Sequence, residues 1–376
     1  MRMMPEKKRV FLIFLLVLLL AACESGPKVK LAPGFDQTPT PREAQSNTLG
    51  TPAPTSVPPT PTVIPLTLDD QFYTDPSRTL SFYPPTGWEL TTESDGYVKF
   101  SRIDGAAWFE GAVESTGYTL SAEDYKKYED NLLSSLYAKT EGYRLIGRED
   151  LPDRSVVSSA FMKAGQQWYA MDFFLQRDRA VYALSFQAHE SVWDEYKDRF
   201  SQIIDRVRTQ TGYLKDDLLY KFRKPYTAPG DGFDLYIPLG WGVTRDQETY
   251  PDGVAELISS PDSEANIDVI ALDAAQRLAD TDIGQASTAI LKESIDKDLE
   301  TLSGDVQDDG RITINWAVER TGESGSSYFW VRGNMMYILT FRTTDDHAGL
   351  YRGLLSELNN SFSLREAEPA PTDAPT

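Results

Sequence analysis

Phe82-Tyr83-Pro84-Pro85-Thr86-Gly87-Trp88 and Leu235-Tyr236-Ile237-Pro238-Leu239-Gly240-Trp241 are two versions of one phrase, 153 residues apart. Each begins as an apolar strand, breaks at proline, turns at glycine and delivers a tryptophan. Glycine permits the tight turn, and tryptophan brings a large apolar surface to a core, so Trp88 and Trp241 are expected inside. Tyr182-Ala183-Leu184-Ser185-Phe186 returns as Tyr337-Ile338-Leu339-Thr340-Phe341 at an offset of 155, and Tyr196 returns as Tyr351 at the same offset. Three anchors in order at nearly one spacing define an internal duplication of roughly 135–150 residues, long enough for each copy to bury a core.

Within the first copy, short strands are expected over Thr79 to Tyr83, Trp88 to Thr92, Tyr97 to Arg102 and Trp108 to Glu114. Ser121 to Lys139 is helical, with Tyr125, Tyr128, Leu132 and Leu136 on one face and Ser121 with Asp124 opening it. Strands follow near Val156–Lys163, Gln167–Gln176 and Ala180–Ala188. A last helix carries Trp193, Tyr196, Phe200, Ile203, Ile204 and Val207 on one stripe, opened by Ser191 and Asp194. The second copy repeats the order, with helices near Ile283–Leu302 and Ala348–Asn360. Hairpin-linked strands with helices between them predict an α+β protein: two tandem copies of an antiparallel β-sheet flanked by helices.

The ends have a different character. Met1 to Arg9 is basic, Val10 to Leu20 is wholly apolar, and Ala21-Ala22 precede Cys23. That is the pattern of a secretory signal peptide, too short in its apolar run for the ~20 residues of a spanning helix. Leu20-Ala21-Ala22-Cys23 resembles the bacterial lipobox, which implies cleavage before Cys23 and lipidation of that thiol. Cys23 is the sole cysteine, which excludes a disulfide framework and a thiolate zinc site. Residues 27–65 are rich in proline and threonine and predict an extended stalk. The expected organisation is a signal peptide over 1–22, a lipidated stalk over 23–65, domains at 66–208 and 231–365 joined by a linker at 209–230, and a tail at 366–376.

The chain carries 37 Lys and Arg against 57 Asp and Glu, a net charge of −20. Removing residues 1–22 leaves 33 bases against 56 acids, a charge of −23. Such a surface argues against nucleic acid as a partner, because phosphate binding needs clustered cations. The linker does hold a small basic cluster, Lys215, Lys221, Arg223 and Lys224, expected to be solvated.

The order strand, Pro-x-Gly-Trp, strands, helix, strands, helix resembles the PsbP-like superfamily, which includes the photosystem II extrinsic subunit, Mog proteins and DcrB-type lipoproteins. The residues that carry the resemblance are Tyr83 to Trp88, Tyr236 to Trp241, and the endings Tyr182 to Val207 and Tyr337 to Phe362. The resemblance implies an α/β/α sandwich used as a non-catalytic binding or assembly module.

Motifs for chemistry are scarce. The sequence holds no Gly-rich phosphate loop, HExxH or GxSxG pattern. Asp305-Val306-Gln307-Asp308-Asp309-Gly310 lacks the alternating acids and closing glutamate of a calcium loop and is expected to be an acidic turn between helix and strand. His189 maps by the 155 offset onto Thr344 rather than His347, so the duplication preserves no histidine site. Glu110 and Asp268 fall in matching strand slots, spacing singles out no acidic pair, and a single acid on a half-buried strand is expected to face solvent. Trp168 and Trp330 lie on late strands, where a concave sheet face would present them to a partner. The sequence therefore predicts a lipid-anchored extracytoplasmic binding or assembly protein, without a catalytic residue, cofactor or metal, whose partners are the membrane and another envelope protein. A hydrolase of envelope polysaccharide using acidic residues, or a module for a small ligand or cation, stands as the alternative.

Overall fold

The structure, a computed structural model, describes residues 65–246, 249–278, 282–308 and 310–365. The expected signal peptide, Cys23, the stalk and the carboxy-terminal tail lie outside the described residues. Among the described residues no helix is long and apolar enough to cross a membrane.

The first copy runs β1 (Tyr73–Thr74), β2 (Leu80–Phe82), β3 (Glu89–Ser94), β4 (Tyr97–Ser101) and β5 (Ala107–Ser115), then α1 (Ala122–Tyr137). It continues through β6 (Arg144–Asp150), β7 (Ser155–Lys163), β8 (Gln166–Arg177), β9 (Ala180–His189), α2 (Glu190–Ile204) and β10 (Arg208–Thr209). The second copy repeats this as β11 (Arg223–Thr227), β12 (Phe233–Pro238), β13 (Gly242–Asp246), β14 (Gly253–Ser259) and β15 (Ala265–Asp273). A short extra helix, α3 (Ala274–Leu278), precedes α4 (Ile283–Ser294), β16 (Glu300–Val306), β17 (Ile312–Val318), β18 (Glu323–Arg332), β19 (Met335–Thr344), α5 (Ala348–Asn359) and β20 (Ser363–Leu364).

Each copy builds a seven-stranded antiparallel sheet, in the orders β3-β4-β5-β9-β8-β7-β6 and β13-β14-β15-β19-β18-β17-β16. Each also closes a three-stranded sheet, β1-β2-β10 and β11-β12-β20. The duplication is therefore complete element by element. Its register is equally close: Arg177 faces Ala180 in one hairpin and Arg332 faces Met335 in the other, both at an offset of 155.

The α+β architecture with two tandem copies is as the periodicity predicts, but several elements differ. The joining segment is not a free linker, because its last part is β11, a strand of the second copy, and Leu214, Leu218 and Tyr220 are buried. The second-copy helix stops at Ser294, and the residues from Glu300 to Leu302 belong to an exposed edge strand. On α1 the buried positions are Tyr128, Glu129, Leu132 and Tyr137, while Leu136 is exposed. Helix α2 is capped by His189, whose Nδ1 accepts the Ser191 N–H at 3.1 Å, two residues earlier than the Ser191 box implies.

The first copy's core lies between its sheet and α2, where Phe186 stacks on Phe200 with centroids 4.4 Å apart. In the second copy one core underlies α4, and another joins the opposite sheet face and α5 to residues of α1. The described residues of the two copies thus fall in one compact unit.

Candidate functional site

The seam between the copies forms where the second Gly-Trp turn meets α1. Trp241 is fully buried, edge-on to Tyr220 and Tyr351, whereas Trp88 is only half-buried against the first core. The two glycines serve different needs. Gly87 sits at φ +74° in a turn closed by Trp88 N–H on the Pro85 carbonyl, a geometry suited to a type II turn. Gly240 instead gives room, since a Cβ there would stand 2.4 Å from the Tyr128 ring.

Polar groups complete the seam. Asn131 donates to the Gly240 carbonyl at 3.2 Å, and Ser135 donates to that of Leu239 at 2.8 Å. Glu114, at the end of β5, is buried and accepts from the Tyr128 hydroxyl at 2.6 Å and from the Phe222 N–H at 3.0 Å. Burial pushes its carboxyl up to about 7, against the opposing pull of those two hydrogen bonds and of Arg223. The basic cluster of the joining segment is likewise engaged: Lys215 pairs with Asp95 at 2.9 Å, Arg223 with Glu357 at 2.6 Å, and Lys224 donates to Ser135 at 2.6 Å.

Trp168 and Trp330 are both buried at 6% exposure, so neither is presented at the surface as expected. Trp168 packs on Trp108 with centroids 4.8 Å apart, and the Lys163 ammonium lies over both rings. Trp330 stacks on Tyr337 and meets Phe233 and Phe362. The 155 offset places Trp330 opposite Leu175 and Trp168 opposite Glu323, so successive-residue alternation puts the two tryptophans on opposite sheet faces. A common aromatic face is therefore not built.

The other candidates have structural partners. Glu110 faces Ser185 and Asp268 faces Thr340, which are equivalent positions, and each acid is taken up by a strand neighbour: Glu110 by Lys99 at 2.6 Å, Asp268 by Arg342 at 2.7 Å. His347 contacts Glu264 at 3.2 Å and the Tyr118 ring. Asp172 is buried beneath Tyr137, whose hydroxyl donates to it at 2.8 Å, and burial raises its carboxyl to about 6. The acidic run near Asp305 is the end of β16 and a hairpin turn into β17, not a helix-to-strand turn, with Gly310 at φ +81°. Among the described residues no cluster of acids, histidines and cysteine is arranged to hold a metal ion.

One cleft, of about 320 Å³, opens in the second copy beside that turn. It lies between the β16–β17 hairpin and the end of α5, and its walls are Gln307, Arg311, Thr313, Tyr328, Asn359 and Asn360, with Phe362 beneath. The Arg311 guanidinium lies 4.9 Å from the Phe362 centroid and 6.0 Å from that of Tyr328. Asn359 donates to the Tyr328 hydroxyl at 2.9 Å, and Gln307 to Thr313 at 3.2 Å. Among the described residues that line it there is no carboxylate. Sequence reading passed over these residues because each is ordinary alone; the signal lay in comparing the copies, where Asn359 and Asn360 stand opposite Ile204 and Asp205.

No protein-family model matches the chain, and no curated protein matches it. Among solved structures it is similar to cyanobacterial PsbP (CyanoP) from Synechocystis sp. PCC 6803, at 15% identity over 38% of this chain and 93% of that one, with a TM-score of 0.32. It is also similar to PA94, a protein of unknown function from Pseudomonas aeruginosa, at 14% identity over 37% and 93% of the two chains, with a TM-score of 0.25. A protein from Bacteroides thetaiotaomicron VPI-5482 matches across both copies, at 11% identity over 70% and 87%, with a TM-score of 0.26.

Proposed function

We propose that this is a lipid-anchored, extracytoplasmic, non-catalytic binding protein of PsbP-like tandem architecture. In this reading the first copy serves as scaffold and the second as the recognition copy, for a component of the cell envelope. The observation that carries it is the open cleft in the second copy, walled by amides, a hydroxyl, a phenol and a guanidinium. Binding sites combine an apolar floor with a few convergent polar groups, and this lining has both. The two acids whose carboxyls burial raises furthest, Glu114 and Asp172, are buried behind tyrosines and are not in the cleft wall, which favours recognition over hydrolysis. Lipidation at Cys23 would hold the protein at the membrane, since two or three acyl chains at about 0.8 kcal/mol per CH₂ anchor a chain almost permanently.

The test is in-cell crosslinking of the anchored protein with mass spectrometry of what is captured, beside a Cys23→Ala variant. The proposal expects one stoichiometric envelope component, lost when the variant leaves the membrane. Capture of nothing beyond background would overturn it.

A further inference from the structure

Strand register matches the corner of the first copy at the β7–β8 hairpin with its counterpart in the second. Trp168 faces Phe161 and His189 as Glu323 faces Val318 and Thr344, so Trp168 and Glu323 are counterparts. Trp108 faces Gln187 as Asn266 faces Arg342, which equates Trp108 with Asn266 and Gln187 with Arg342. In the second copy this corner is tied by ions, with Arg342 holding Asp268 at 2.7 Å and Glu323 at 2.6 Å. In the first copy two indoles stand where Asn266 and Glu323 stand in the second, packed with centroids 4.8 Å apart. Tyr137 and Phe161 belong to the same aromatic cluster.

Lys163, the last residue of β7, is exposed, yet its ammonium lies over both indoles, 4.0 Å from the Trp108 centroid and 4.9 Å from that of Trp168. Lys99 approaches the Trp108 ring as well, at 4.8 Å, but its charge is met by Glu110 at 2.6 Å. The Lys163 ammonium has neither an ion pair nor a hydrogen bond among the described residues. Burial, and after it the Lys99 charge, hold it below the usual lysine range, against the pull of Glu110. A primary ammonium carries three N–H donors, so this lysine is poorly matched to the place it fills. A quaternary ammonium has no N–H to satisfy and is drawn to the faces of the same rings. Lys163 leads into the exposed turn Ala164-Gly165, so its stem can swing into solvent and uncover the indoles.

We infer that the Trp108–Trp168 corner is a separate binding site for a quaternary ammonium group of the choline type, with Lys163 as its built-in competitor. The chain's charge of −20 draws such a cation toward the protein. This ligand is distinct from the envelope component, whose recognition stays with the second copy.

The test titrates the full chain, in dodecyl maltoside micelles, with choline, glycerophosphocholine and the neutral carbon isostere of choline, dimethylbutanol, read by calorimetry and tryptophan fluorescence. Choline or glycerophosphocholine should bind with a Kd on the order of 1 mM, at least about tenfold tighter than the isostere. The tighter of the two names the source, a free solute or a lipid headgroup. Lys163→Ala removes the competitor and should tighten binding about tenfold, whereas Lys197→Ala, which removes an equal charge on α2, should leave it within about twofold. Trp108→Leu should abolish binding while keeping its far-ultraviolet circular dichroism; where that variant does not fold, the two lysine variants decide. No binding by the native chain or by Lys163→Ala, equal affinity for the isostere, or equal effects of the two lysine substitutions would overturn the inference.

Discussion

Glu114→Gln isolates the electrostatics of the seam. The native carboxyl is buried, and its two oxygens accept from Tyr128 and Phe222, one group on each side of the junction. Its proton affinity rises from the ordinary 4.5 to about 7, chiefly through burial. At about 1.4 kcal/mol per tenfold in proton affinity, that displacement corresponds to about 3 kcal/mol of penalty on the ionised form in the folded chain. Because the folded pKa lies above the unfolded one, the contribution is fully present below pH 4.5. It is lost as the pH rises toward and through 7, since the unfolded chain gives up its proton first. Glutamine mimics the protonated acid and cannot ionise. Urea unfolding of both proteins between pH 5 and pH 8 should show the native chain losing about 2–3 kcal/mol more than the variant. Asp172, raised to about 6, titrates in both and cancels in the difference. Parallel pH profiles, differing in slope by less than about 0.5 kcal/mol over that range, would refute the claim that this carboxyl is buried and ionises at a cost.

Other outcomes follow from the same geometry. Gly240→Ala forces a methyl against the Tyr128 ring and should destabilise the chain by about 1–3 kcal/mol in denaturant unfolding, whereas Gly87→Ala meets no neighbour and should cost about 1 kcal/mol from its positive φ. Trp241→Ala should cost about 3–5 kcal/mol and the half-buried Trp88→Ala measurably less, again by urea unfolding. Asp205→Asn gives the first copy the second copy's residue and breaks only a partly exposed ion pair, so its cost should stay below about 1 kcal/mol. Cys23→Ala should move the protein from the membrane fraction to the soluble fraction on cell fractionation.

Much of the fold was legible because hydrophobic periodicity and the repeated Gly-Trp phrase are local signals. Strands β7, β8 and β9 fall where alternation places them, within a residue or two. Strand β6 escaped notice because an edge strand with the sequence Arg-Leu-Ile-Gly-Arg-Glu-Asp has both faces exposed and so no alternation to read. Strand β11 was hidden in the joining segment because it forms only by pairing with β12. The aromatic residues were misjudged for another reason: composition reports that Trp168 and Trp330 exist, but only register says which sheet face each occupies. The cleft depends on packing between a hairpin turn and a helix end more than fifty residues on, which no single stretch records. Its trace was nevertheless present in the substitutions between the copies, where Asn359 and Asn360 replace Ile204 and Asp205.

The central claim is that recognition belongs to the second copy and not to its scaffold twin. Asn360 and Asp205 are counterparts at the ends of α5 and α2, and both are exposed. A diazirine-bearing residue placed at either position in the anchored protein, activated in living cells, compares the two corners directly. A defined covalent adduct from position 360 and background alone from position 205 are expected. Equal labelling from both positions, or an adduct from 205 only, would contradict it.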